Sequence, residues 1–389
     1  MLLELTITAE GPLAFPERRF GEQFRASLGY VPGGAIYGAL GFHTFDAARF
    51  RALRCHNAYP IAPGDPWSRP LPLSALQPKG TEDAPIYDSL VQRVCWERQE
   101  PAGLIYTPTD AEGRAWEVVK HGFYTLGSDD KLGTRTVAQR VLTRVAIDRR
   151  RGTAAQGLLY SPLVLNEVQQ LKLKDKTTLP YPATFRGTVF FPDAYPDLGA
   201  SLQQLDTLGA RQTSGLGAVN IVAAEVAVEN AAEVERRVKL LTARFVEQAK
   251  CYKALGGAKW MVKGHIFTVN LLADTFLHEQ GWLPTQELSA ATLAELTGIQ
   301  ATLLRAFTDT AVVGGWHAMW RQPKPTALAT KMGSVFVFHA EDGLSQAHFA
   351  ALAQLQRDGI GERRAEGFGH VRICDEFHLH ECYPREEKA

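Results

Sequence analysis

The amino-acid sequence predicts an α+β protein made of two similar compact units. Strand-like and helix-like segments alternate twice along the chain, and a glycine-rich loop occurs once in each half. Both copies of the loop lie between a predicted helix and a predicted strand. With 389 residues the chain is also longer than one ordinary domain. We therefore expect two units, joined near residues 228–262.

The first unit begins with the alternating strand LLELTITAE, and after a loop the chain continues as YVPGGAIYGALGFHTFDAARFRAL. Pro32 and Gly33 interrupt the chain, and the small and apolar residues after them predict a helix over about residues 34–53. A proline-rich stretch follows. Prolines block helix interiors and central strands, so we expect residues 59–77 to be an irregular insertion and not a third core.

Regular structure returns in two strand-like runs, TRTVAQRVLTRVAIDRR and QGLLYSPLVL, separated by the basic turn RRRGTA. The first unit ends with strand TFRGTVFFPD, helix LGASLQQLDTL, loop GARQTSGLGAV and strand AVNIVAAEVAV. A long helix over residues 233–255 leads to the second unit. That unit repeats the order with strand MGSVFVFHA, helix LSQAHFAALAQLQRDG, loop GERRAEGFG and strand HVRICDEFHLH.

The two loops share the spacing G-x-R-x-x-x-G-[LF]-G at a constant offset of 152 residues. The matched positions are Gly209, Arg211, Gly215 and Gly217 in the first loop and Gly361, Arg363, Gly367 and Gly369 in the second. A dinucleotide loop or P-loop needs a strand before the glycines and a helix after them, whereas here the order is reversed and no G-K-[ST] is present. Glycines around an arginine suit a loop that follows a sugar-phosphate chain. A tight turn whose arginine lies in solvent would explain one such loop. The presence of two loops with the same spacing favours binding of a sugar-phosphate chain.

Composition excludes several classes of protein. Hydrophobic residues make up 45% and charged residues 22%, which is typical of a globular protein. Lys plus Arg equals Asp plus Glu at 42 each, so nucleic-acid binding must be local. Basic residues cluster at 148–152 and 171–176, where solvated turns are the simpler explanation. The start of the sequence is not typical of a signal peptide, no apolar run is long enough for a membrane span, and the five cysteines contain no C-x-x-C pair. We expect a cytoplasmic protein.

The segment YVPGGAIYGALG resembles the Pro-Gly signature of the RAMP superfamily, the repeat-associated subunits of CRISPR effector complexes. AIDRRRGTAAQGLLY and GIGERRAEGFGHV extend the resemblance over most of the chain, which looks most similar to the type III-D subunits called Csx-ten. The resemblance implies two ferredoxin-like (RRM-type, RAMP) domains, at residues 1–228 and 229–389. The first would carry a loop-rich insertion at about residues 55–120.

The same resemblance implies a non-catalytic subunit that binds CRISPR RNA in an RNA-guided antiviral complex and grips its 5′ tag. Its partners would be the CRISPR RNA, the large polymerase-like subunit, the backbone RAMP subunits and, indirectly, target RNA. No cofactor and no membrane are implied. The RNA-facing positions carried onto this chain are Pro32, Gly33, Gly38, Arg149, Arg150, Arg151, Gly209, Arg211, Gly215, Gly217, Gly361, Arg363, Arg364, Gly367 and Gly369.

An alternative function rests on His43. Some RAMP relatives that process CRISPR RNA use a histidine on a comparable helix as general base for the 2′-hydroxyl, and imidazole suits this task at neutral pH. The alternative is a metal-independent endoribonuclease. The neighbours of His43 in LGFHTF are apolar, however, so a packed core histidine is the simpler interpretation.

A metal site is considered in CDEFHLHEC. If this segment is a strand, Cys374, His378, His380 and Cys382 share one face, but the two cysteines lie too far apart to bind one ion. Only His378 and His380 could chelate together, and because structural zinc usually takes four convergent ligands we expect no metal there. RAMP relatives often carry paired cysteines in the insertion, where this chain has only Cys55 and Cys95, so a zinc site is not implied there.

Overall fold

The computed structural model of the chain describes residues 1–16, 26–43, 47–81, 84–99, 105–110, 112–119, 122–127, 131–172, 177–192, 197–257, 260–317 and 321–383. Within these ranges the fold mixes α-helices with many antiparallel strands. No helix in this part of the chain has both the length and the apolar character that crossing a bilayer requires.

Seven α-helices occur in the described ranges. They are α1 (Gly33–His43), α2 (Ala47–Ala52), α3 (Leu90–Gln99), α4 (Leu198–Gln203), α5 (Ala231–Ala254), α6 (Ala290–Thr297) and α7 (Gln346–Asp358). Three short 3-10 helices lie at Gln212–Ser214, Arg364–Glu366 and Glu376–Leu379.

The strands are short except in the two main sheets and three hairpins. They are β1 (Leu2–Ala9), β2 (Arg54–Cys55), β3 (Tyr59–Ile61), β4 (Arg69–Pro70), β5 (Ala75–Pro78), β6 (Ile86–Asp88), β7 (Trp116–Val118), β8 (Phe123–Leu126), β9 (Leu132–Arg135), β10 (Gln139–Val141), β11 (Arg144–Asp148), β12 (Thr153–Tyr160), β13 (Leu163–Leu165), β14 (Val168–Lys172), β15 (Thr178–Pro182), β16 (Thr184–Phe190), β17 (Val219–Glu225), β18 (His265–Leu271), β19 (Leu277–Glu279), β20 (Leu283–Thr285), β21 (Thr302–Phe307), β22 (Thr310–His317), β23 (Gln322–Thr330), β24 (Val335–Ala340), β25 (Val371–Ile373) and β26 (Cys382–Tyr383).

The first main sheet has the antiparallel order β17-β1-β16-β2, with β3 also paired to β16. β1 alternates buried and partly exposed residues, so Leu3, Leu5 and Ile7 point into one core, as the alternation in the sequence predicts. Helices α1 and α4 add Ile36 and Leu202 to that core.

The second main sheet has the order β21-β24-β18-β25, again antiparallel. When the short edge strand β3 is left out, both arrangements in chain order within each sheet are fourth-first-third-second. In each sheet a helix follows the first strand and another follows the third: α1 and α4 in one, α6 and α7 in the other. The expected strand-helix-loop-strand repeat is therefore present, and the long predicted helix is α5.

The helix expected over residues 34–53 is helical in its described parts as α1 and α2, and residues 44–46 between them lie outside the described ranges. One sequence prediction about local structure is wrong. The strand expected in HVRICDEFHLH ends at Ile373, because Cys374 turns into the left-handed region at φ 48°. Asp375 then accepts a hydrogen bond from the Phe377 amide at 3.0 Å and begins a 3-10 turn.

The proline-rich segment is not an irregular excursion. Strand β3 belongs to the first sheet, and Pro60 is tolerated there because β3 lies at the edge and pairs only with β16. Farther along, Leu71 and Ala75 are buried in a small third cluster with Tyr124 and with Phe377 from the C-terminal half. Tertiary packing therefore gives this segment strands and buried residues despite its prolines.

Helix α3 ties this same region to the second core. Its buried residues Val91, Val94 and Cys95 belong to one hydrophobic cluster with Val238 and Phe245 of α5. The side-chain amide of Gln99 at the end of α3 donates to the carbonyl of Trp260 at 2.8 Å. Part of the first half of the sequence therefore completes the core of the second half.

A network of buried charges surrounds the segment before α5. Glu229 accepts from Arg372 at 2.9 Å and from Arg237 at 3.0 Å, and the Arg237 side chain is only 1% exposed. Arg372 also binds Glu376, which pairs with Arg69 of β4. The network links the insertion, the connection between the sheets and the C-terminal strand. Arg237 and Arg372 are buried, and the partly exposed carboxylates of Glu229 and Glu376 pair with them.

We expect Glu229→Gln to lower the free energy of unfolding at pH 7 by about 2 kcal/mol, because it removes charge-assisted hydrogen bonds to two buried arginines. Burial alone would raise the pKa of Glu229, but Arg372 and Arg237 outweigh it and lower that pKa to about 2. A lowered pKa stabilises the fold above about pH 4.5, and this contribution disappears as the pH falls toward 2. Denaturant titrations at several pH values should show wild type and variant converging below pH 4.5. A gap that does not change with pH would contradict this account.

Candidate nucleic-acid interface

The two glycine loops have the same backbone conformation. Arg211 and Arg363 both adopt left-handed dihedrals, with φ of 64° and 55°, which residues other than glycine rarely do. Each arginine precedes a 3-10 turn that ends at a left-handed glycine, Gly215 or Gly367. Both loops also connect the equivalent helix and strand of their sheets. The two loops therefore lie on corresponding connections of the two main sheets.

Most of the loop glycines allow two backbones to approach closely. A Cβ atom added to Gly209 would lie 2.6 Å from the carbonyl oxygen of Ala14. One added to Gly361 would lie 2.3 Å from the carbonyl oxygen of Phe276. A Cβ atom added to Gly217 or Gly369 would lie 2.4 or 1.8 Å from the carbonyl oxygen of the residue just before the loop, Leu208 or Ile360. Gly215 has open space around it. Close packing explains these glycines better than contact with a ligand does.

The loop amides are largely occupied within the protein. The amide of Gly217 donates to Pro12 at 2.9 Å, and that of Gly369 donates to Asp274 at 3.0 Å. The amides of Gly215 and Gly367 close their own 3-10 turns. These four groups are not free to bind phosphate oxygens. The side chains of Arg211 and Arg363 are then the more direct candidates for a phosphate contact from the loops.

The Pro-Gly signature meets the second glycine loop. A Cβ at Gly33 would lie 1.8 Å from the Cys55 carbonyl oxygen and 2.9 Å from the Cα of Gly367. The Gly33 amide donates to the side chain of Asn57 at 2.8 Å, and the hydroxyl of nearby Tyr59 donates to the Leu272 carbonyl in the other half. Gly33 and Gly367 thus bring the two halves into backbone contact and do not face solvent.

Next to this contact lies a cleft of about 700 Å³ between the halves. It is bounded by α1, by both glycine loops and by the β22–β23 hairpin. Of the residues singled out in the sequence, it brings together Pro32, Gly38, Gly209, Arg363 and Gly367. Its aromatic lining comes from Phe15, Tyr30, Trp316 and Phe368.

The cleft is not strongly cationic. Its lining contains two basic and three acidic side chains, namely Lys324, Arg363, Asp206, Asp274 and Glu366. Both cations bind Glu366, Lys324 at 2.6 Å and Arg363 at 2.8 Å. Burial would raise the pKa of Glu366, but the hydrogen bonds from Arg363 and Lys324 lower it. The carboxylate therefore stays charged and holds both cations.

Arg211 and Arg363 differ in their surroundings despite their shared backbone. The guanidinium of Arg363 also lies 4.6 Å from the ring centre of Phe368, so the side chain is held on both sides. Arg211 is exposed, and its guanidinium lies 4.8 Å above the ring of Tyr160. Cation–π contact leaves the guanidinium hydrogens available to another acceptor.

The remaining basic positions lie outside the cleft lining. Arg149, Arg150 and Arg151 are exposed at the tip of the β11–β12 hairpin, in the turn that the sequence predicts. Arg364 points back to the carbonyl oxygens of Asp358 and Gly359 at 3.4 and 3.5 Å. Of the basic cluster at 171–176, residues 173–176 lie outside the described ranges.

His43 is the last residue of α1, and its side chain is not among those that the structure describes. The two metal candidates are placed differently from the expectation. His378 is fully buried, with Nδ1 2.9 Å from Asp88 and Nε2 2.7 Å from the amide of Asn270, so both ring nitrogens are occupied. Among the described residues, no three His, Cys, Asp or Glu side chains are grouped as around a metal ion.

Sequence reasoning missed Asn57, Asp274, Lys324 and Trp316. The Gly314–Gly315 pair beside Trp316 is a local irregularity in the sequence, but it does not show what this segment covers. Asn57 and Asp274 carry no motif, and their importance follows only from the approach of the two halves.

Residues 235–375 match the family described as CRISPR-associated protein (Cas_Cmr3). The match supports a CRISPR-associated, RAMP-like protein. It covers little more than a third of the chain and includes α5, the second main sheet and the second glycine loop. A comparison with curated proteins finds no match.

Several solved structures are similar at low identity. A cryo-EM structure of the type III-B Cmr-beta complex, bound to cognate target RNA and AMPPnP, contains a chain with 10% identity and a TM-score of 0.42, with 86% of each chain covered. A chain of a type IV-B CRISPR complex has 13% identity and a TM-score of 0.24, with 59% of this chain and 93% of that chain covered. A Cas6 product complex gives 9% identity and a TM-score of 0.28, covering 96% and 99%. At TM-scores below 0.5, these similarities do not establish a shared function.

We expect Gly33→Ala to destabilise the protein by about 3 kcal/mol, because the new methyl group has to displace the backbone of Cys55 or of Gly367. Gly38→Ala on the same helix is the matched control, since no atom lies within 4 Å of its Cβ position, and alanine favours a helix over glycine. Thermal melting of both variants measures the difference. Equal melting temperatures would show that the Gly33 contact is not needed.

Proposed function

We propose that this chain is a non-catalytic subunit of a type III CRISPR effector complex that binds CRISPR RNA. The observation that carries the proposal is the meeting of the Pro-Gly signature and both glycine loops around one cleft. The match of residues 235–375 to a CRISPR-associated family supports it. In this proposal the other effector subunits, including the large polymerase-like subunit and the backbone RAMP subunits, are its partners in the cytoplasm.

We further propose that the two main sheets are the sheets of two ferredoxin-like domains. Their shared fourth-first-third-second strand order and the placement of their helices support this assignment. The boundary proposed between the domains is at residues 228–229. Because α3 packs into the second core, the insertion of the first domain also belongs structurally to the second.

The chemistry of the cleft suits unstacked bases better than phosphates. Its two cations are paired with Glu366, whereas Trp316 is 47% exposed and offers aromatic surface beside the buried rings of Phe15 and Tyr30. Single-stranded RNA is recognised by splaying bases onto such surfaces while basic side chains outside follow the backbone. We assign the backbone contacts to Arg211 and to the Arg149–Arg151 turn, which are exposed.

The finer assignment is the 5′ tag of a type III-D complex of the Csx-ten kind. It rests on the signature YVPGGAIYGALG and on AIDRRRGTAAQGLLY, which forms the β11–β12 hairpin. The side chain of Arg144, at the base of that hairpin, donates a hydrogen bond to the Ser214 carbonyl. This bond ties the hairpin to the first glycine loop. A path from hairpin to loop to cleft would accommodate a short single strand.

The endoribonuclease alternative rests on His43 alone. Incubating a labelled CRISPR repeat RNA with the isolated chain distinguishes the two functions. Specific cutting that is lost in His43→Ala would replace the non-catalytic assignment.

We expect Arg211→Ala to weaken binding of CRISPR RNA with native and scrambled tags alike, because a phosphate contact carries no sequence information. The plot of log K against log salt should become shallower, with the magnitude of its slope reduced by about 0.7, which corresponds to one phosphate contact on a single strand. Fluorescence anisotropy at several salt concentrations measures both quantities.

Arg363→Ala is the matched comparison for this experiment. Because Arg363 is held by Glu366 and Phe368, its removal should lower the melting temperature more than it changes the salt slope. Unchanged affinity and slope for Arg211→Ala would remove the first loop from the RNA path.

A further inference from the structure

The hairpin of β19 and β20 carries an exposed tryptophan at its tip. The side chain of Trp282 is 70% exposed and that of Leu283 is 44% exposed. Single apolar residues on a surface are common, but tryptophan is the residue most enriched among the energetic centres of protein interfaces. What distinguishes this tip is its rigidity and its charge.

The hairpin holds the indole on a fixed base. The Trp282 amide donates to the Glu279 carbonyl at 3.3 Å, across a turn in which Gln280 and Gly281 have φ of 53° and 76°. Two positive φ values are characteristic of a type I′ turn, which matches the twist of a tight hairpin. At the other end, Leu277 is buried in the second core. A preorganised side chain loses little conformational entropy on binding.

The surrounding sequence is acidic. Residues 264–304 contain no lysine or arginine, and Glu279 and Glu287 flank the tip of the hairpin. Glu362 of the second glycine loop lies 3.5 Å from His278 at the base of the hairpin. A nucleic-acid backbone is disfavoured next to this charge, whereas a protein surface with lysines or arginines is attracted to it.

We propose that the β19–β20 tip docks into a neighbouring protein subunit, in an apolar pocket rimmed by basic side chains. Trp282 fills the pocket, and Glu279 and Glu287 face the basic rim. This inference rests on the proposed function, because it assumes a chain that works within a multisubunit complex. It concerns a surface that is separate from the residues lining the cleft.

The test uses the full chain, tagged and co-expressed with the other effector subunits and CRISPR RNA. Trp282→Ala should lower the amount of one protein subunit that co-purifies by at least tenfold, and Trp282→Phe should restore most of it. The double change Glu279→Lys with Glu287→Lys should weaken the same association and reduce its salt dependence. Leu255→Ala is the matched control, because Leu255 is 61% exposed at the end of α5 and lies outside the acidic segment.

A photo-crosslinking residue, benzoylphenylalanine at position 282, identifies what the tip touches. Crosslinks to one protein subunit, lost when basic residues beside the crosslinked site are neutralised, support the proposal. Crosslinks to RNA or to a second copy of this chain, or normal assembly of Trp282→Ala, overturn it. RNA affinity of the isolated Trp282→Ala chain should equal that of wild type. A loss of RNA binding by Arg211→Ala together with unchanged assembly of Trp282→Ala would refute this inference alone. A wild-type chain that joins no complex would refute both this inference and the proposed function.

Discussion

The contact on which the candidate site depends is the backbone approach of Gly33 to Gly367. Neither position has room for a Cβ, and both lie against the Cys55 carbonyl and the side chain of Asn57. This contact places the start of α1 directly against the second glycine loop. The cleft exists because two loops with the same conformation are held at a fixed separation by that joint. Nearby, the imidazoles of His56 and His370 stack with ring centres 3.7 Å apart. Burial, reinforced by Arg54, lowers the pKa of His56 to about 4, and burial also lowers the pKa of His370, so both stacked imidazoles are neutral at pH 7.

Duplication has produced similar loops with different surroundings. The backbone pattern of left-handed arginine, 3-10 turn and left-handed glycine is the same in both. Gly215 faces open space, whereas its counterpart Gly367 is buried against the first half of the chain. The first loop is therefore the one that remains accessible, and the second is largely a structural joint. A repeat in the sequence establishes common geometry, and only tertiary contacts decide which copy keeps an exposed side chain.

The sequence was informative where local rules and the three-dimensional structure agree. Period-two alternation located β1, the long helix predicted over residues 233–255 is α5, and the constant spacing of glycines located the two loops. It failed where distant segments decide. Pro60 lies in an edge strand and not in a loop, because β3 pairs with β16 on one side only. The sequence also offered no sign that Asn57 or Trp316 would border the site, since their neighbours there come from the other half of the chain. The sequence likewise gave no sign that His378 would bind Asp88 and Asn270, which lie far away in the sequence.

The packing of α3 against α5 affects how the chain is made. Val91, Val94 and Cys95 are synthesised about 150 residues before Phe245, which is on the order of ten seconds of translation. During that interval the apolar face of α3 has no native partner, and the second core cannot close without it. A nascent chain that has only its first half outside the ribosome therefore exposes this face to chaperones or to aggregation. For the same reason, cutting the gene between residues 228 and 229 would separate α3 from the core that it completes, and neither fragment would be a self-sufficient folding unit.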